Sequence, residues 1–335
     1  MGLLLPERLE LAHTPTPIQP LDRLSQETGI RIRVKRDDLT GSHLSGNKIR
    51  KLEFLLADAQ KQNATHVITC GGIQSNHCRA TAMAARPLGM EAVLLLRTEN
   101  GAPSDFPAPA TGNVFLNKLV RAQLIACTRE GYQNRAEEMG ALAQKIHDQG
   151  GHAVIIPEGG SNALGSMGYV RAAQEIVDQL GDDLPDTVVV PTGSGGTVAG
   201  LAIGFLAMGA PTRVVGIPVC DDGAHFREVA LAIGAQAHET FGTPRLTPND
   251  IDFIDGFQGR GYALTTPEEL AFLSTIATLD GLVLDPVYTN KSFRGMVDTC
   301  RSGTGRLGHD VLFIHTGGIF GLLAQNDAFA SVMPS

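Results

Sequence analysis

Residues 187–208 read TVVVPTGSGGTVAGLAIGFLAM, and this stretch decides the fold. It begins with an apolar run rich in valine at residues 187–191, which predicts a strand covered on both faces in a parallel sheet. Residues 192–197 contain three glycines and predict a tight turn. Residues 197–208 then predict an apolar helix. A strand, a glycine turn and a helix in this order form one unit of an α/β fold.

The same order recurs along the chain. Short runs rich in apolar residues predict six further strands, at residues 31–35, 66–70, 92–97, 153–157, 214–219 and 311–315. Apolar residues at helical spacing occupy residues 47–62 and 75–88. Residues 99–111, rich in proline and alanine, predict an exposed loop, and residues 221–247 show a less regular pattern. Alternating strands and helices predict an α/β protein with parallel sheets.

The chain is acidic overall and has no basic run. Its 335 residues carry 27 Lys and Arg against 35 Asp and Glu, a net charge of −8. Nucleic acids and anionic membranes usually require a basic surface, so neither is expected as a partner. No apolar stretch is long enough for a transmembrane helix, and the N-terminus does not resemble a secretory signal. Five widely spaced cysteines are typical of reduced thiols in a cytoplasmic protein, and no metal site is expected.

The glycine turn predicts a binding site for one phosphate group. Main-chain N–H groups, the hydroxyls of Ser194 and Thr197 and the positive end of the following helix can surround a phosphate. The ATP-binding P-loop requires a lysine that this turn lacks, and the dinucleotide motif requires a third glycine where Val198 stands. A tight turn without a ligand is the alternative at this point.

A second segment, residues 46–53, reads GNKIRKLE and places Lys48 at the predicted start of a helix. The helix N-terminus already carries partial positive charge, and Arg50 and Lys51 add to the repulsion. The segment is therefore either a solvated basic face or a site where the pKa of one amine is lowered. An amine with a lowered pKa can act as a nucleophile or form a Schiff base. A Schiff-base lysine and a site for one phosphate are what pyridoxal 5′-phosphate requires.

Six segments together resemble one enzyme family. Residues 46–53 are similar to the Schiff-base segment of the fold-type II (tryptophan synthase β-like) enzymes that use pyridoxal phosphate. The closest branch is that of 1-aminocyclopropane-1-carboxylate deaminase and D-cysteine desulfhydrase. The other matches follow in family order: VKRDDLTG (34–41), GGIQSNH (71–77), TGSGGT (192–197), LDPVYTNK (284–291) and FIHTGG (313–318).

The resemblance implies an architecture. The fold would be α/β, with two open, mostly parallel, twisted sheets flanked by helices. The cofactor would lie in a cleft between a large domain, residues 1–51 with 165–335, and a small domain, residues 52–164. A homodimer is also implied.

The resemblance implies cofactor contacts as well. Lys48 would form the Schiff base, Lys51 would help to neutralise the phosphate, and Asn76 would contact the ring. Thr316 resembles the neutral partner that the desulfhydrases offer to the pyridine nitrogen. The phosphate would be held by Thr192, Gly193, Ser194, Gly195, Gly196 and Thr197.

Contacts to an amino-acid substrate are implied for another group of residues: Ser75, Asn76, His77, Tyr262 and Tyr288. Of these, Ser75, Tyr262 and Tyr288 would join Lys48 in catalysis, since a phenol can bond the substrate or move a proton. From the residues alone, Ser75 and Asn76 would be helix caps, His77 an ordinary polar residue and each tyrosine a core residue.

Two positions, 289 and 316, bear on the reaction. In the deaminases a glutamate follows the tyrosine that corresponds to Tyr288, and this glutamate contacts the pyridine nitrogen. This chain has Thr289 at that position. A hydroxyl supports the electron sink less than a carboxylate does, which favours expelling a good leaving group over opening a cyclopropane ring. The chain departs from the family at Asn290, which replaces the glycine usual before Lys291.

The sequence therefore predicts a lyase that converts D-cysteine to pyruvate, ammonia and hydrogen sulfide. Two related alternatives are 1-aminocyclopropane-1-carboxylate deaminase and L-cysteate sulfo-lyase, the second requiring cationic groups near the β carbon that the sequence does not locate. A non-catalytic carrier of pyridoxal phosphate is a third. It is disfavoured, because a carrier needs the lysine and the phosphate site but not Ser75, Asn76, Tyr262 and Tyr288 together.

Overall fold

The computed structural model describes residues 5–331, and its strands and helices alternate along most of the chain. The strands are β1 (Ile18–Pro20), β2 (Arg31–Lys35), β3 (His66–Gly72), β4 (Glu91–Arg97), β5 (Gln123–Cys127), β6 (Ala153–Ile155), β7 (Thr187–Thr192), β8 (Arg213–Pro218), β9 (Ile251–Phe253) and β10 (Asp310–Ile314). The helices are α1 (Asp22–Thr28), α2 (Lys48–Lys61), α3 (Asn76–Ala85), α4 (Gly112–Leu119), α5 (Arg129–Gln133), α6 (Arg135–Asp148), α7 (Ala163–Leu180), α8 (Gly196–Met208), α9 (Gly223–Phe241), α10 (Pro267–Asp280), α11 (Thr289–Arg301) and α12 (Ile319–Leu323).

The strands form two sheets. One has six strands in the order β1-β2-β10-β7-β8-β9, and its neighbours are parallel except for β1 with β2. The other has four parallel strands in the order β5-β4-β3-β6. The predicted α/β class with two mostly parallel sheets is thereby confirmed. The division into domains at residues 51/52 and 164/165 stays a prediction.

All seven predicted strands are present, and three others were missed. Strands β1 and β9 have only three residues each, too few for a recognisable pattern. Strand β5 lies at the edge of the four-stranded sheet and is only half-buried, and its apolar run is just four residues, LIAC at 124–127.

The prediction of a less regular segment at residues 221–247 was wrong, because helix α9 occupies Gly223–Phe241. Its start is capped by Asp222, whose carboxylate accepts a hydrogen bond of 2.8 Å from the main-chain N–H of His225. Glycine within the helix lowers its propensity, but a Cβ at Gly234 would lie 2.8 Å from Cδ1 of Leu246. Tertiary packing therefore favours the glycine that made the pattern look irregular.

Buried charges fix α2, the helix that begins at Lys48. The guanidinium of Arg50 donates to both carboxylate oxygens of Asp37, at 2.8 and 2.9 Å, and to Glu175 of α7 at 2.9 Å. The hydroxyl of Tyr169, also on α7, donates to Asp37 at 2.6 Å. Removing one partner from such a buried cluster leaves an uncompensated charge, so the start of α2 is held firmly.

Helices α7 and α8 contribute to the largest of the apolar clusters. Within residues 5–331, no helix is both long and apolar enough to span a bilayer.

Candidate active site

The predicted site residues gather where the carboxyl ends of β3 and β7 face each other. A Cβ at Gly72, the last residue of β3, would lie 3.2 Å from Cε1 of Tyr262, and one at Gly193, just after β7, would lie 3.3 Å from Cε1 of Tyr288. The hydroxyls of the two tyrosines are 2.5 Å apart, so this pair joins the two strand ends. Ligand sites of open α/β sheets lie at this edge.

The glycine turn after β7 contacts the start of α2. Gly195 has φ +77°, a conformation that favours glycine, and α8 begins at the next residue. The hydroxyl of Thr197 accepts a hydrogen bond of 3.2 Å from the side-chain amide of Asn47. The main-chain N–H of Asn47 donates to the main-chain oxygen of Thr316 at 3.1 Å. The residue before Lys48 is thus held between the glycine turn and the end of β10.

Lys48 is a half-buried amine with a lowered pKa. Burial lowers the pKa of Lys48 to about 8, and the carboxylate of Glu158 opposes this shift in part. Its neighbours Arg50 and Lys51 are fully buried, which excludes the solvated basic face that the sequence left open. An amine with this pKa has a far larger neutral fraction near physiological pH than an ordinary lysine and can act as a nucleophile.

Lys51 points to the glycine turn, and its contact with a phosphate stays a prediction. Its Nζ donates to the main-chain oxygen of Gly159 at 3.2 Å and to the hydroxyl of Ser161 at 3.0 Å. A Cβ at Gly196 would lie 3.0 Å from this Nζ. The hydroxyl of Ser161 is in turn 2.9 Å from that of Ser194. Burial, together with the charge of Lys48, holds the pKa of Lys51 well below its usual value.

These donors fit a phosphate group. Two hydroxyls, the start of α8 and the amine of Lys51 converge, and no ion pair joins Lys51 to a carboxylate within the described part of the chain. A dianion at this point would satisfy the helix N-terminus and favour the protonated form of Lys51. Ser161 was missed from the sequence, although Gly159 and Gly160 follow a predicted strand in the same way as the other glycine clusters.

The start of α3 contains the residues implied for the substrate. Ser75 caps the helix, because its hydroxyl accepts from the main-chain N–H of Cys78 at 3.2 Å. The side-chain oxygen of Asn76 accepts from the amide of Asn113 on α4 at 3.0 Å. The N–H groups of the first turn have no acceptor within the helix and can bind a carboxylate. Asn113 has no signal in the sequence, since its role depends on how α4 packs on α3.

His77 has a different environment from that of its neighbours. Its ring is buried, and Nε2 lies 2.8 Å from the hydroxyl of Thr69 on β3. Burial and the charges of Lys48 and Lys51 hold the pKa of His77 well below its usual value, so the imidazole is neutral. The side chain of His77 is therefore buried against Thr69 on β3.

The two tyrosines are half-buried and neutral. Burial raises the pKa of Tyr262 to about 12 and holds the pKa of Tyr288 well above its usual value. Their rings meet edge to face, with centroids 5.7 Å apart. The loop before Tyr262 is fixed by Lys291, whose Nζ donates to the main-chain oxygens of Gln258 and Gly261 at 2.7 Å each.

Thr289 and Asn290 both have hydrogen-bond partners outside the tyrosine pair. The hydroxyl of Thr289 donates to the Asp285 carboxylate at 2.7 Å and accepts from the Asp285 main-chain N–H at 2.6 Å. The amide of Asn290 donates to the main-chain oxygen of Glu269 on α10 at 2.7 Å. The side chain of Asn290, which stands in place of the family's glycine, thus connects α11 to α10.

Comparisons with known proteins agree with this geometry. The family model described as pyridoxal-phosphate dependent enzyme matches residues 9–317. The chain is 41% identical to a bifunctional D-cysteine desulfhydrase/1-aminocyclopropane-1-carboxylate deaminase of Arabidopsis thaliana, over 96% of this chain and 81% of that protein. It is 38% identical to a D-cysteine desulfhydrase of Yersinia enterocolitica, over 95% and 96%. A crystal structure of an ACC deaminase homologue superposes with a TM-score of 0.86 at 37% identity, covering 98% of this chain and 96% of that one.

Proposed function

Because the chain belongs to the family of pyridoxal-phosphate dependent enzymes, we propose that it eliminates sulfide from D-cysteine and yields pyruvate and ammonia. The observation that carries this choice is that a threonine, Thr289, and not a glutamate follows Tyr288. Thr289 is a neutral residue whose hydroxyl is already bonded to Asp285. By the resemblance, the pyridine nitrogen would meet the hydroxyl of Thr316 instead of the glutamate of the deaminases, which suits expulsion of a good leaving group.

The residues present fit the cofactor. Lys48 would hold its aldehyde carbon, and the glycine turn with Lys51 and Ser161 would hold its phosphate. When bound, pyridoxal phosphate supplies an electron sink that stabilises negative charge on the α carbon of an amino acid.

The substrate would be oriented by the start of α3. Its carboxylate would accept from the main-chain N–H groups of Asn76 and His77, where the helix dipole also favours an anion. This would place the α hydrogen toward Lys48, whose pKa of about 8 suits an amine that accepts a proton near neutral pH.

Tyr262 and Tyr288 would form the remaining wall of the site. Both hydroxyls are protonated at neutral pH, since burial raises the pKa of Tyr262 to about 12 and holds the pKa of Tyr288 well above its usual value. Such phenols can donate hydrogen bonds to the substrate. The unsaturated amine released after elimination hydrolyses in water to pyruvate and ammonia.

A substrate panel tests this function. The purified protein with pyridoxal phosphate is incubated separately with D-cysteine, L-cysteine, L-cysteate and 1-aminocyclopropane-1-carboxylate, with Lys48→Ala as control. We expect sulfide and pyruvate from D-cysteine at the highest rate, and none from the control. Faster ring opening of 1-aminocyclopropane-1-carboxylate than sulfide release from D-cysteine would establish the deaminase. Release of sulfite from L-cysteate would establish the sulfo-lyase. Bound cofactor without turnover of any of the four would establish a carrier.

The amino-acid substrate, the homodimer and the cytoplasmic location that the sequence suggested stay predictions.

A further inference from the structure

Arg97 is a cation at the edge of the site that the sequence did not identify. It ends β4 and stands in register with Gly72, the last residue of β3. Its Cζ lies 5.2 Å from the ring centre of Tyr262 and 5.2 Å from that of Tyr132, so the guanidinium is within cation–π distance of two aromatic rings. Stacking fixes the plane of a guanidinium while leaving its N–H groups free to donate.

The charge of Arg97 is uncompensated. No hydrogen bond or ion pair joins its guanidinium to another residue between positions 5 and 331, and the side chain is half-buried. The second arginine at this edge, Arg135, stacks on Tyr132 at 5.1 Å but pairs with Glu158 at 3.2 Å. A half-buried cation without an ionic partner is suited to an anionic group that it meets only when a ligand is bound. A departing hydrosulfide and the sulfonate of L-cysteate are both such groups, and the substrate panel separates them.

The orientation of the substrate leaves one direction for its side chain. Under the proposed function, the carboxylate binds at the start of α3 and the amine at the carbon that Lys48 holds. The β substituent would then extend toward the tyrosine pair, where Arg97 lies over the ring of Tyr262. Tyr262 lies at the end of β3, beside Gly72.

We propose that Arg97 stabilises the negative charge that the sulfur acquires as it leaves, an inference that rests on the proposed function. In this step the proton on the α carbon passes to Lys48, and its electron pair forms the new bond between the α and β carbons. The carbon–sulfur bond breaks, and its electron pair leaves with sulfur as hydrosulfide. Preformed cationic groups are most effective where charge develops during a reaction.

The inference separates substrates by their leaving group. Chloride is a weak base and leaves with little assistance, whereas hydrosulfide is a stronger base and gains more from a nearby cation. Opening of a cyclopropane ring expels no separate anion. Arg97 should therefore matter for D-cysteine and much less for β-chloro-D-alanine.

The test compares Arg97→Met, Arg97→Lys and the control Arg135→Met with the unaltered holoenzyme, after the cofactor absorbance of each is shown to be equal. The quantity measured is the ratio of kcat/KM for D-cysteine to that for β-chloro-D-alanine. We expect Arg97→Met to lower this ratio by about tenfold or more, Arg97→Lys to restore part of it, and Arg135→Met to change it by less than about twofold.

An unchanged ratio in Arg97→Met would overturn the inference while leaving the proposed function intact, because an equal loss on both substrates indicates a structural role. If the unaltered enzyme releases no sulfide from D-cysteine, the proposed function fails and the inference fails with it. The two failures are therefore distinguished by the unaltered enzyme alone.

Discussion

The side-chain amide of Asn47 donates a hydrogen bond of 3.2 Å to the hydroxyl of Thr197, although 150 positions separate them in the chain. This bond joins the residue before Lys48 to the glycine turn. The lysine and the phosphate site therefore have a fixed relative position in the protein itself. A cofactor that must reach both at once benefits from such preorganisation.

Asn47→Ala tests this link. Loss of one buried hydrogen bond is expected to weaken cofactor binding by about 1 kcal/mol, or about fivefold in Kd. Titration of the apo-protein with pyridoxal phosphate, followed by its visible absorbance, measures the change. An unaltered Kd would show that the bond does not orient the site.

The pKa of Lys48 predicts how fast the apo-protein captures its cofactor. Only the neutral amine attacks the aldehyde, and burial lowers the pKa of Lys48 to about 8, so the capture rate should rise with pH and level off above this value. Stopped-flow absorbance across pH 6–11 measures the midpoint. A midpoint near that of an ordinary lysine would contradict the burial argument.

Thr316→Glu tests the neutral partner of the pyridine nitrogen. A carboxylate there would keep the nitrogen protonated, so the cofactor spectrum should shift and sulfide release should fall relative to ring opening. Thr316→Gln is the matched control, since it has the same length without the charge. Identical spectra and product ratios for the two variants would argue against Thr316 as that partner.

Lys291 should position Tyr262 through its loop. Lys291→Met leaves the main-chain oxygens of Gln258 and Gly261 without their donor, at an expected cost of about 1–3 kcal/mol in unfolding free energy. Because Tyr262 would lose its fixed place, kcat should fall and residues 255–266 should be cleaved faster by a protease.

Lys61→Met is the control for this variant. Lys61 is 57% exposed and pairs with Glu7 at the surface, and such pairs contribute less than about 1 kcal/mol. Equal kcat values and equal cleavage rates in the two variants would remove the positioning role.

The sequence predicted those features that depend on local pattern. Strand β7 is a continuous apolar run, and Lys48 precedes an apolar helical stripe, so both were recognisable without tertiary information. Ser161, Asn113 and Arg97 could not be found in this way. Each acquires its contacts through packing of segments far apart in the chain, as Ser161 does with Lys51, 110 positions away.

The cause of the lowered pKa of Lys48 was also beyond the sequence. Repulsion at the helix start suggested it, whereas burial is the largest cause in the structure. Burial depends on how α2 packs against α7, which in turn depends on the buried pairing of Arg50 with Asp37 and Glu175.

The most direct measurement identifies the lysine that carries the cofactor. The holoenzyme is treated with borohydride, which fixes pyridoxal phosphate to its lysine, and the labelled peptide is located by mass spectrometry in the unaltered protein and in Lys48→Ala. We expect a single label on Lys48, and neither label nor turnover in the variant. A label on Lys51 or another lysine, or full activity of Lys48→Ala, would contradict the assignment on which the proposed chemistry depends.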